Sequence, residues 1–223
     1  MAMDVTYLGH SGFVLSDGSA RVAIDPFLTG NPVATLTGAD VECNAIVLTH
    51  GHEDHFGDTV AIAKRCGATV YAVFEICSFV QEQGHETCEA GNTGGRIAAP
   101  WGWVAFTQAF HSSSYQGRYM GQACGVVVHL GGVTLYHMGD TALFGDMALI
   151  GEVYKPQVVC VPVGDRFTMG PALGKRAAEL VKAKTAIPIH WGTWPPITSD
   201  LSAFKPQGVE VRQMKPGETW RCG

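Results

Sequence analysis

The densest run of chemistry-bearing side chains in this 223-residue chain is Thr49-His50-Gly51-His52-Glu53-Asp54-His55. Four potential metal ligands, His50, His52, Asp54 and His55, fall within six consecutive residues. In extended backbone, side chains two positions apart point to the same side, so His50 and His52 converge. Asp54 and His55 follow where the chain turns from a short apolar run into a helix. Three imidazoles with a carboxylate suit zinc or a similar borderline divalent ion, and a bound ion of this kind acidifies water and polarises a carbonyl or phosphoryl oxygen. One loop cannot close two metal sites, so further ligands must arrive from other strand ends.

Three residues outside the loop are candidates, each of which alone would more often be structural and is raised by the loop upstream. His111 follows the apolar run Val104–Phe110, His190 follows Ala186–Ile189, and Asp140 follows the strand-like segment that holds Tyr136 and His137. All three lie at strand-to-loop junctions, where scaffolds place functional groups. His10, in the turn Gly9-His10-Ser11-Gly12, either donates a proton or binds substrate, or else stabilises the turn and a neighbouring ligand. Asp25 reads as a group that orients a ligand histidine. Tyr115 and Arg118 follow His111 and are candidates to reach the cleft, and Asp165 and Arg166 follow another strand end. His85, His129 and His137 read as structural.

The elements that must position these groups are short. Val5–Leu8, Phe13–Leu15 and Arg21–Ile24 read as strands separated by glycine turns, and Ala45–Leu48 reads as a buried strand leading into Thr49-His50. Helical spacing runs from His55 to Cys66 and from Phe74 to Gln83, with Gly67 and Gly84 as stops. A strand-rich middle covers Arg96–Phe110, Gln122–Leu130 and Val133–Met138, with Gly131-Gly132 as a hairpin turn. Thr141–Val153 and Pro171–Lys184 read as helices, and Val158–Val163, Ala186–Ile189 and Val209–Met214 as strands. No linker or low-complexity tract interrupts the chain, so residues 1–223 read as one α/β domain.

Composition narrows the function classes. A net charge of −5 argues against nucleic-acid binding, which needs clustered Lys and Arg, but leaves room for a small anionic substrate near a bound cation. Seven cysteines with no C-x-x-C pair argue against a disulfide framework or a zinc knuckle. Neither a signal peptide nor a membrane-length apolar run is apparent, so a cytoplasmic location and no membrane partner are expected.

With these residues in hand, the sequence resembles the metallo-β-lactamase superfamily. His50-x-His52-x-Asp54-His55 matches its signature loop, and His111, Gly139-Asp140-Thr141 and His190 match its later metal positions in order. More narrowly it resembles the small UPF0173 or UlaG-like branch, through Tyr7-Leu8-Gly9-His10-Ser11, Ile24-Asp25-Pro26-Phe27, residues 163–171 and Pro188-Ile189-His190-Trp191-Gly192-Thr193. The resemblance implies a four-layer αββα sandwich with metals at one edge. It implies His50, His52 and His111 on one ion, Asp54, His55 and His190 on a second, and Asp140 between them. Glu53 falls at a variable position with no metal contact, and Trp191 stands where a tyrosine often follows the last histidine, altering the pocket wall.

The expectation is therefore a metal-dependent hydrolase that uses a metal-bridging hydroxide on a small ester, lactone or phosphoester. Asp54 and His10 are its catalytic candidates. Two divalent ions are expected, zinc first, with manganese, iron or nickel as other occupants of His/Asp sites. A phosphodiesterase acting on nucleic acid and a metal-binding protein without turnover are the alternatives. The lactonase-like relatives imply a homo-oligomer.

Overall fold

The computed structural model describes residues 2–198 and 200–223. Two seven-stranded mixed sheets form its centre. The first is built from β1 (Met3–Gly9), β2 (Gly12–Ser16), β3 (Arg21–Ile24), β4 (Ala45–Val47), β5 (Thr69–Val73) and β6 (Cys88–Gly91). The second takes β7 (Arg96–Ala99) and β8 (Gly102–Gln108), then, past a small hairpin of β9 (Ser114–Tyr115) and β10 (Arg118–Tyr119), β11 (Cys124–Leu130), β12 (Val133–His137), β13 (Val158–Pro162), β14 (Thr185–Ile189) and β15 (Glu210–Val211). The last strand, β16 (Thr219–Cys222), returns to the first sheet beside β1. The sheet orders are β16-β1-β2-β3-β4-β5-β6 and β15-β14-β13-β12-β11-β8-β7.

Side-chain alternation in the second sheet separates two cores. Val126, Val128, Leu135, Val158, Cys160, Ile187 and Ile189 join the first sheet's apolar residues in one cluster. Their neighbours Val127, Tyr136, Val159, Val161 and Ala186 face the opposite way. They pack against α4 (Met147–Tyr154) and α5 (Pro171–Val181). On the other side, α2 (Thr59–Cys66) and α3 (Phe74–Glu82) cover the first sheet through Ile62, Ala63, Ile76 and Val80. Strands buried on both faces must be apolar at every position, as β4 and β13 are. The result is the expected helix–sheet–sheet–helix layering.

Several expected elements differ. The expected His55–Cys66 helix is two helices, α1 (Glu53–Phe56) and α2, broken at Gly57 (φ 41°, ψ −124°). A side chain there would place its Cβ 2.6 Å from Phe27 Cα, so only glycine lets the motif pack on the loop after β3. The Thr141–Val153 helix begins only at Met147, because residues 141–146 are held as a loop at the sheet edge. The Val209–Met214 strand shrinks to β15, and β6 and β16 were not foreseen. All seven cysteines are free, and among the described residues no helix is long and apolar enough to cross a membrane.

Candidate metal centre

The C-terminal ends of β3, β4, β8, β12 and β14 and the β1–β2 turn open onto one edge of the sandwich. They deliver Asp25, the His50–His55 loop, His111, Asp140, His190 and His10 respectively. Backbone bonds hold these separate loops together. His190 N–H donates to His10 O at 2.8 Å, Cys124 N–H to Thr49 O at 3.0 Å, and Ala142 N–H to Phe110 O at 3.3 Å. Side chains add to this: Gly51 N–H donates to Ser113 Oγ at 3.1 Å, and Asp58 accepts from the N–H groups of Leu28 and Thr29 at 2.9 and 2.8 Å. His10, Asp25 and His190 have positive φ (58°, 45° and 55°), a conformation costing about 1–3 kcal/mol for a non-glycine residue.

All eight of the expected catalytic and metal-ligand residues converge. Donor atoms of His50, His52 and His111 form one group, those of Asp54, His55 and His190 together with His10 a second, and His50, His55 and Asp140 a third. Within each group the donor atoms lie within 4.8 Å of one another. His50 Nε2 is 3.0 Å from His52 Nδ1, and His190 Nε2 is 2.9 Å from Asp140 Oδ2 and 3.5 Å from Asp54 Oδ2. His55 Nε2 is 3.3 Å from Asp140 Oδ1, and His111 Nε2 is 3.5 Å from Asp140 Oδ2. A tetrahedral ion with ligands at about 2.0–2.1 Å separates them by roughly 3.3 Å, so these spacings fit cation-sized gaps. His55 Nε2 and Asp140 Oδ1 are buried and face each other without a well-aligned hydrogen bond. They are matched either by a proton on His55, where burial is outweighed by Asp140 and Asp25 and the pKa is raised, or by a cation in its place.

Asp25 sets the tautomers. Its Oδ2 accepts from His55 Nδ1–H at 2.7 Å and from the Thr49 hydroxyl at 2.6 Å. The Thr49 oxygen, its proton committed to Asp25, accepts from His50 Nδ1–H at 3.0 Å. Both histidines therefore turn Nε2 towards the centre, the nitrogen whose lone pair a metal would take in place of a proton. His10 is fully buried among Phe27, His190 and Trp194. Burial pushes its pKa down to about 4, against the opposing pull of Asp54. Neutral His10 donates from Nε2 to Asp54 Oδ2 at 3.0 Å and accepts at Nδ1 from the Thr193 hydroxyl at 2.8 Å.

The carboxylates hold the centre's charge. Burial works against ionisation of Asp140, but His190 and His55 beside it keep its carboxyl well below the usual range. Burial likewise opposes ionised Asp54, yet hydrogen bonds from His10 and His190 hold it low. The partner effect appears on His190: burial lowers its pKa, and Asp140 and Asp54 outweigh this, leaving it near 9.

The family described as "Beta-lactamase superfamily domain" matches residues 4–190. The chain is 46% identical to a UPF0173 metal-dependent hydrolase from Thermus thermophilus, over 98% of this chain and 99% of the relative. It belongs to the UPF0173 metal-dependent hydrolases of this superfamily. This hydrolase is also 41% identical to a UPF0173 relative from Thermococcus kodakarensis, over 96% of this chain and 97% of that one. Its fold superposes with a TM-score of 0.91 on Igni18, a metallo hydrolase from the archaeon Ignicoccus hospitalis, at 34% identity, covering 100% of this chain and 99% of the other.

Other candidates fall away from the hydrolase centre. Arg118 is exposed, paired with Glu82 and stacked on Phe79, so it does not reach the cleft. Tyr115 packs against Phe56 and Phe79. Trp191 Nε1–H donates to Pro188 O at 3.3 Å and packs on the second core, so the aromatic beside His10 is Trp194 instead. His85, His129 and His137 bond to Ala68 O, Thr134 Oγ1 and Ser11 O, as structural histidines do. Thr49, Thr193 and Ser113 were missed. Thr49 and Thr193 flank metal motifs in sequence, but a hydroxyl there carries no signal until its partner is known.

Proposed function

We propose that His50, His52 and His111 hold one divalent cation, that Asp54, His55 and His190 hold a second, and that Asp140 lies between them, with zinc the simplest occupant. The observation that carries this reading is the spacing of the donor atoms, 2.9–3.5 Å across five pairs gathered about the buried Asp140 carboxylate and the Asp54 and His50 side chains. The substrate is a small ester, lactone or phosphoester. Such a pair of ions supplies a water with its pKa lowered to about 7 and Lewis-acid pull on the substrate oxygen.

The protein's own groups then have distinct tasks. Asp25, through His55 and through Thr49 to His50, keeps two ligand lone pairs pointed inward. His10 orients Asp54 from behind and, being neutral, adds no positive charge that would repel a cation. This favours a positioning role for His10 over direct contact with substrate. Asp54, one-quarter exposed (26%), is the carboxylate best placed to accept a proton from attacking water. Phe27 and Trp194 wall the His10 side and exclude bulk water there.

The test is a screen of p-nitrophenyl esters, lactones and p-nitrophenyl phosphodiesters on metal-loaded protein, with His52→Ala as control. Chelator-sensitive turnover lost in His52→Ala while the fold persists supports the reading, and the preferred bond selects acyl or phosphoryl chemistry. Turnover that survives both chelation and His52→Ala rejects it.

A further inference from the structure

β12, β13 and β14 run parallel and adjacent, with His137 paired to Cys160 and Pro162 to Ile189. β12 leads to Asp140 and β14 directly to His190, so the exit of the middle strand emerges between two residues of the metal centre. In open sheets, ligands bind at such carboxyl ends. The exit is the segment Val163-Gly164-Asp165-Arg166-Phe167-Thr168-Met169-Gly170. Gly164 lies so close to His190 that a Cβ on it would be 2.0 Å from the His190 carbonyl oxygen. Arg166 thus begins two residues from direct contact with a proposed ligand.

The backbone here is built to hold a particular direction. Asp165 and Arg166 are consecutive non-glycine residues at φ 63° and 47°. The turn is closed by Asp165 N–H to Met169 O at 3.0 Å and Thr168 N–H to Asp165 O at 3.1 Å. Val163 and Met169 are buried and anchor both ends. Consecutive left-handed residues at the edge of a site point to a functional demand on side-chain direction.

Arg166 also has charge to spare. Arg65, Arg118, Arg176, Arg212 and Arg221 each pair with a carboxylate, while Arg21 and Arg96, which do not, lie on β3 and β7 rather than at the β13 exit. Arg166 has no such partner among the described residues; its guanidinium lies 5.4 Å over the ring of Phe167, which is 57% exposed. An exposed guanidinium steadied on an aromatic face presents its N–H fork to oxyanions.

We propose that Arg166 determines substrate specificity by binding an oxyanion group, a carboxylate or a phosphate, carried on the substrate away from the bond that is cut. The inference rests on the metal-centred hydrolase reading and narrows its substrate class to anions with a second polar end.

The test uses metal-loaded protein and three ligands that share one carboxylate: succinate, 3-phosphonopropionate and butyrate. Calorimetry reads their binding to the unaltered chain, to Arg166→Asn, which tolerates the left-handed backbone, and to Arg166→Lys, which keeps the charge. Expected is tighter binding of a two-ended ligand than of butyrate, lost about tenfold in Arg166→Asn and partly kept in Arg166→Lys, with butyrate unchanged throughout. The tighter of the two-ended ligands identifies the group. Equal binding by Arg166→Asn and the unaltered chain, or no preference over butyrate, overturns the proposal. Binding needs no turnover, so this measurement and the hydrolysis screen fail independently of each other.

Discussion

Asp25 and His55 are both fully buried and joined by a 2.7 Å hydrogen bond from Nδ1 to Oδ2. The same carboxylate reaches His50 through the Thr49 hydroxyl, so one residue that faces away from the cleft orients two of the proposed ligands. Replacing Asp25 with Asn removes the acceptor charge and frees His55 to flip its tautomer. Metal affinity should fall about 10–100-fold, as for other groups that orient ligand histidines, in a competition titration against a coloured chelator. Unchanged affinity would mean that Asp25 serves the fold alone.

Thr193→Val leaves the His10 Nδ1 acceptor without its donor and loosens the ring that orients Asp54. The expected effect is a kcat reduced about tenfold, with KM and metal content little changed. A changed KM with constant kcat would place His10 in substrate binding instead.

The pH behaviour follows from His190. In metal-free protein its pKa is raised to about 9 by Asp140 and Asp54, which outweigh the lowering effect of burial. A folded-state value above the unfolded one of about 6.5 adds stability that is full below pH 6.5 and lost as pH rises through 9. The metal-free protein's melting temperature should therefore decline from this group between pH 7 and 9. Metal affinity should climb over the same interval, because the ion displaces that proton. Thermal scans and metal titrations at pH 6.5, 8 and 9 check both directions.

How much of this was readable beforehand varied with the range of the interaction responsible. The ligand loop is contiguous and stood out from local pattern, whereas His111, Asp140 and His190 each follow a strand-like run and became candidates only through that loop, with their division between two ions implied by the resemblance. Asp25 was legible as an orienting group because it ends a strand. Strands β6 and β16 were not, because they are half-exposed edge strands. β16 exists through pairing across the whole chain, with Met3 opposite Cys222. Gly57 hid a helix break inside regular apolar spacing, since its reason is contact with the Pro26-Phe27 backbone. Arg118 looked like a cleft residue by sequence distance from His111, but the β9–β10 hairpin carries it to Glu82 on α3.

Metal should also stabilise the fold. An ion present at about 1,000 times its Kd adds about 4 kcal/mol, which for a chain of this size is roughly 8–16 °C in melting temperature. Chelation should reverse the gain, and His50→Ala, which removes a ligand of one of the two ions, should reduce it.

Elemental analysis of purified, zinc-reconstituted protein counts the ions that the His/Asp cluster holds. About two zinc ions per chain are expected, falling to one or fewer in Asp140→Ala, which lacks the carboxylate between both groups. A well-folded protein that takes up no metal after reconstitution would contradict the two-ion centre.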